Sequence, residues 1–231
     1  MIRVAILETG APPPALQPRY GRYPAMFAAL LGADRIAASY DAVAGILPDR
    51  PEAHDAYLIT GSAAGVHDGL PWIESLTAFL RAAKGRTKLV GICFGHQVMA
   101  MAFGGRVARN PGGWGIGLHE YHVTRRAAWM DDAVRVAIPV SHQDQVVAPP
   151  PATRLIGGSD FTPFAMLEYA DQPAISFQCH PEFTPDYAAA LVGTRNHPAS
   201  DTERALRTLA EPNDCPSMGD WIRTFLGRPP A

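Results

Sequence analysis

Lys88-Leu89-Val90-Gly91-Ile92-Cys93-Phe94-Gly95-His96-Gln97-Val98-Met99-Ala100-Met101-Ala102 decides how this chain reads. Its first part, Leu89 to Ile92, is a short apolar run of the kind that forms a buried strand. From Gly95 onward the pattern is helical, with Val98, Met101 and Ala102 on one face. Between the two, Cys93 has Gly91 two residues before it and Gly95 two residues after it. That is the spacing of a nucleophile elbow, G-x-C-x-G in place of G-x-S-x-G. A strand that turns sharply into a helix strains the backbone at the turn, and bulky neighbours would collide there. The thiol then stands at the carboxyl end of a sheet, over a helix N-terminus, which favours the anionic form of a thiol. A small buried Cys packed between strand and helix has the same composition, so the elbow needs a second feature to support it.

Ile175-Ser176-Phe177-Gln178-Cys179-His180-Pro181-Glu182 supplies one. Another apolar strand ends here in a His, and a carboxylate follows two residues later. A thiol nucleophile needs a base within hydrogen-bond reach, and the base needs a third group to hold its tautomer. Residues two apart on an extended segment point the same way, so His180 and Glu182 face one pocket, with Pro181 stiffening the link.

GICFGHQ together with a strand ending in CHPEF resembles the class I (triad) glutamine amidotransferase family, in the branch of stand-alone GMP-synthase-like proteins. The resemblance runs from the first strand to the last helix. It implies Cys93 as nucleophile, His180 as base and Glu182 as orienting carboxylate. It also implies a flavodoxin-like fold, a mostly parallel α/β sheet with helices on both faces and a small antiparallel extension, with residues 1–231 as one domain. Thr60-Gly61-Ser62-Ala63-Ala64-Gly65, directly after a strand, lacks the ending of a phosphate loop. It suits backbone donation to an oxyanion, Ser62 beside Phe94, and is similar to the family's S-G-G-P loop with Ala63 in place of Pro. Val140-Ser141-His142-Gln143-Asp144-Gln145-Val146 is similar to the S-H-x-D-x-V segment of the GMP-synthase branch. By that match Ser141 and Gln143 contact the amino-acid end of the substrate, and Gln97 fixes its α-carboxylate and amine.

The chain has 231 residues, 47% of them hydrophobic, enough for a full core. A net charge of −2 offers no basic field, so nucleic acid is not an expected partner. Three cysteines are too few and too scattered for a disulfide framework or a C-x-x-C site, and they suit a reducing cytoplasm. No run reaches the length of a membrane span. His119 and His122, three apart on a strand, face opposite sides and read as ordinary strand residues, not as metal ligands. No metal or other cofactor is expected.

Pro12, Pro13, Pro14 and Pro18 exclude regular structure between Gly10 and Pro18. Tyr20, Arg22 and Tyr23 behind that loop are candidates for the substrate mouth, with surface packing as the competing use. Cys215 reads as incidental, in a Pro/Asn/Asp loop.

The expected reaction is attack of Cys93 on the γ-carbonyl of glutamine or a γ-glutamyl compound, followed by hydrolysis of a γ-glutamyl thioester. No S-G-G-x-D-S or Walker-type loop occurs in the sequence, so a separate synthetase subunit would have to receive the ammonia. Otherwise the protein is a free hydrolase, which a pocket built from the Pro-rich loop and the tyrosines would favour. A regulatory module that binds glutamine without turnover is the third reading, and an intact Cys/His/Glu set weighs against it.

Overall fold

Successive side chains of β1 (Val4–Glu8) point to opposite faces, and both faces are apolar: Val4 and Ile6 join one buried cluster, Ala5 and Leu7 another. A strand buried on both sides belongs inside a parallel sheet covered on both faces. The computed structural model, which describes residues 2–228, places it there. β1 lies between β2 (Ile36–Asp41) and β3 (Ala56–Ile59). Next come β4 (Lys88–Ile92) and the late strand β11 (Ala174–Phe177), and all five run parallel.

Beyond β11 the same sheet continues with antiparallel strands, β10 (Met166–Tyr169), β9 (Thr153–Gly158), β6 (Gly115–Val123) and β7 (Arg135–His142). A separate antiparallel ribbon joins β5 (Arg106–Arg109) to β8 (Asp144–Ala148). The expected fold class is therefore the observed one. Its extension comprises four strands in register with the main sheet, plus the ribbon.

Helices cover both faces. α3 (Pro71–Ala83) and α4 (Phe94–Ala102) pack on Ala5, Leu7, Tyr57 and Leu89. α2 (Tyr23–Leu31), α5 (Pro185–Gly193), α6 (Ala199–Leu209) and α7 (Cys215–Gly227) cover the face of Ile6, Leu58 and Ile92.

Two local readings need correction. The Pro-rich segment does not stay irregular throughout: α1 (Gln17–Tyr20) begins within it, with Pro18 in the first turn, where a missing N–H costs nothing. Cys215 is not in a loop but opens α7, buried against the carbonyl of Phe183. Among the described residues no helix is long and apolar enough to cross a membrane.

Candidate active site

Parallel strands end on one edge, and a ligand site forms where their carboxyl ends meet. At the end of β4 the chain turns into α4 through Cys93, whose φ of 52° and ψ of −102° lie outside the range that L residues ordinarily adopt. A non-glycine residue held there costs about 1–3 kcal/mol, which the surrounding structure must offset. Both flanking glycines are required by close approach. A methyl group at Gly91 would lie 2.6 Å from Sδ of Met99, and one at Gly95 would overlap the carbonyl of Ile59. The Cys93 amide donates to the carbonyl of Phe177 at 2.8 Å, which fixes the elbow to the end of β11.

Past β11 the chain runs on as Gln178-Cys179-His180. The His180 amide donates to the Pro139 carbonyl of β7 at 2.9 Å. The side chains of His180 and Glu182 meet, Nδ1 to Oε1, at 2.8 Å, and both are buried. The imidazole is sandwiched: the ring of Phe183 stacks on it at 3.9 Å with planes 7° apart. Gly61 lies against both His180 and Cys93, since a methyl group there would fall 2.8 Å from Cε1 of His180 and 3.7 Å from Cβ of Cys93. With Nδ1 committed to Glu182, Nε2 is the ring nitrogen left to exchange a proton with a nucleophile.

Burial opposes a charge on His180, but the Glu182 carboxylate and the Cys93 sulfur beside it overcome that, and its pKa rises to about 10. The consequence for stability has a definite sign. An unfolded histidine titrates near 6.5, so proton uptake on folding contributes in full below that pH and is lost as pH rises through about 10. The difference in unfolding free energy between the wild-type protein and Glu182→Gln should therefore shrink between pH 6.5 and 10. A difference that grew over this interval would mean that His180 is neutral in the folded protein. Burial pushes Cys179 far up and Cys215 up to about 12, so both stay protonated near neutrality.

Cys93 opens into a cavity of about 210 Å³ that Ser62, Phe94, Gln97, Ser141 and Gln143 also line. The five residues read from the sequence as oxyanion donors or as contacts to the amino-acid end of the substrate thus border one space. Phe94 is the first residue of α4, so its N–H has no acceptor within the helix. The Ser62 hydroxyl accepts from the Ala64 amide at 3.1 Å, and Thr9 braces the same loop through Thr60 and the Gly61 carbonyl. Gln97 donates to the Asp144 carbonyl at 2.7 Å and to Oε1 of Gln178 at 3.2 Å. His142, beside Ser141, is kept neutral by burial and by neighbouring histidines, its pKa pushed down to about 3.

One contact of the Cys93 thiol escaped the sequence reading. Gln178, fully buried, donates its amide to Sγ of Cys93 at 3.6 Å. Gln178 is the first residue past β11 and stands two before His180, and that closeness in sequence is the signal by which it can be found.

The tyrosines behind the Pro-rich loop do not border the cavity. Tyr20 hydrogen-bonds Asp186, Arg22 binds the buried Glu8 through two bonds of 3.0 Å, and Tyr23 packs on Phe183. A buried carboxylate at the end of β1 pairs with Arg22 from an exposed position, and the two tyrosines brace α5 and Phe183.

Comparison with known proteins agrees with this architecture. A glutamine amidotransferase-like protein of Schizosaccharomyces pombe is 29% identical over 96% of this chain and 98% of its own length. γ-Glutamyl peptidase 2 of Arabidopsis thaliana is 29% identical over 61% of this chain and 58% of its own length. One subunit of the glutamine-hydrolysing GMP synthase from Ignicoccus hospitalis is 32% identical over 63% of this chain and 75% of its own length. The crystal structure of a glutamine amido transferase from Methylobacillus flagellatus shares the fold, with a TM-score of 0.73 at 20% identity over 98% of this chain and 93% of that one. Residues 49–192, from before β3 to the end of α5, match the family described as glutamine amidotransferase class-I, and this chain belongs to it.

Proposed function

We propose that the protein hydrolyses the γ-amide bond of glutamine or of a γ-glutamyl compound, with Cys93, His180 and Glu182 as catalytic residues and residues 1–231 acting as one domain. The observation that carries this reading is the buried 2.8 Å pair of His180 and Glu182 set against a thiol on a strained elbow. The proton shared between Cys93 and His180 stays on Nε2 while the sulfur attacks the γ-carbonyl. The Phe94 amide and an amide of the Ser62 loop receive the oxyanion. As the C–N bond breaks, His180 returns the proton to the departing amine. His180 then draws a proton from water, which attacks the γ-glutamyl thioester, releasing glutamate and the free thiol. Gln97, Ser141 and Gln143 hold the amino-acid end of the substrate.

The γ-glutamyl peptidase among the relatives supports a free hydrolase. The synthase subunit supports a second reading, in which a separate synthetase consumes the ammonia. Release of ammonia from glutamine, and of amino acid from γ-glutamyl dipeptides, by the isolated protein without ATP separates the two. Dipeptide turnover well above that of glutamine is the expected result. Silence on every substrate until a synthetase is added would replace the first reading with the second.

A further inference from the structure

The cavity around Cys93 holds two aspartates and two arginines, and they are not engaged alike. Arg109 approaches Asp144 at 3.9 Å, and Asp68 accepts from the Gly65 amide at 2.8 Å. Arg195 has no such engagement. Its guanidinium lies over the ring of Trp114, with Cζ 4.6 Å from the centroid, and its Nη1 is buried without a hydrogen-bond partner among the described residues. His197 holds the same indole edge-on at 5.4 Å. A cation laid flat on an aromatic platform keeps its fork of N–H groups oriented, and that fork fits a carboxylate.

The mount is tied to the chemistry. α5 begins three residues after Glu182, capped by the Thr184 side chain, and Arg195 follows its last turn. The residue that holds His180 and the arginine at the cavity wall are thus joined by one helix. Arg195 lies three residues past the segment that matches the family, which ends at 192.

We propose that Arg195, supported by Trp114, clamps a substrate carboxylate in the Cys93 cavity and so sets which γ-glutamyl compound is taken. This rests on the hydrolase reading above. Two carboxylates qualify: the α-carboxylate of the γ-glutamyl group, present in every substrate, and that of the departing amino acid, present only in peptides.

The test compares glutamine, γ-glutamylalanine and γ-glutamylalaninamide as substrates of the wild-type protein, Arg195→Gln, Arg195→Lys and Trp114→Leu. Arg195→Gln should raise KM about tenfold or more while kcat changes little, and Arg195→Lys should recover part of the loss, restoring charge without the planar fork. A rise on all three substrates assigns the α-carboxylate. A rise on γ-glutamylalanine alone, with the wild-type protein already poor on the amide, assigns the departing residue. Unchanged KM throughout, or kcat falling in parallel on every substrate, overturns the clamp. Calorimetry on Cys93→Ala with and without Arg195→Gln reads binding apart from turnover. Tighter binding of γ-glutamylalanine by the Arg195 form keeps the clamp even if the wild-type protein hydrolyses nothing, in which case only the hydrolase reading falls. No binding of any of the three compounds overturns both.

Discussion

Cys93→Ala should reduce turnover of every substrate by about a thousandfold or more while leaving the protein folded. Its neighbours can orient a substrate and receive an oxyanion, but none can form the acyl bond. Cys179 is sealed beneath Met218, and Cys215 faces the Phe183 carbonyl inside the helical layer. Hydrolysis by a verified Cys93→Ala protein at normal rates would remove the thioester mechanism altogether. The fold should tolerate the change, because the strain at this position belongs to the backbone and not to the sulfur. Cys93→Gly should go further: glycine enters a φ of 52° without penalty, so the inactive protein should unfold at higher denaturant than the wild type. His180→Ala should be about as damaging to turnover as loss of the thiol. Glu182→Gln should be milder, since it disturbs only the orientation of the base.

The second large effect is structural. Gly95→Ala should destabilise the protein by about 3 kcal/mol or more, the upper range for an overpacked interior. The added methyl meets main chain: it overlaps the carbonyl oxygen of Ile59 and falls 2.9 Å from its carbon. A rotating side chain can yield to such contact, whereas the end of β3 cannot, so α4 must lift away from the sheet and take the elbow with it. Gly193→Ala is the control. It adds the same group to a helix where nothing lies within 4 Å, and it should be neutral or slightly stabilising. Equal midpoints for the two variants in denaturant would show that α4 does not press on β3 as closely as described.

How much of this was legible in the sequence follows from the range of each signal. The elbow is written in adjacent residues, because close approach of α4 to β3 and β4 leaves glycine as the residue that fits at Gly91 and Gly95. His180 and Glu182 are legible through their short spacing just after a strand, although a turn and not an extended segment brings them together: the Phe183 amide donates to the His180 carbonyl at 3.2 Å. Signals that depend on a distant partner were not. β5, only four residues long, shows no period of its own and is a strand because β8 pairs with it. Arg22, half exposed, reaches across to Glu8 because that carboxylate, buried on β1, requires a counter-charge. Arg195 and Trp114 are brought together by packing of α5 against the antiparallel extension, and spacing in the sequence does not encode that encounter.

The position of β11 has a consequence for how the protein is made. It is the last strand in the chain, yet it sits in the middle of the sheet, between β4 and β10. Cys93 and its hydrogen-bond donor Gln178 are 85 residues apart. At a synthesis rate of roughly 5–20 residues per second, β4 therefore leaves the ribosome on the order of several seconds before its neighbour exists. During that interval the apolar edge of β4 has no partner, which is a hazard for pairing with other chains and a natural point of engagement for a chaperone. On the proposed mechanism the same delay is protective: a thiol without its histidine forms no thioester, so chains abandoned before β11 would turn nothing over.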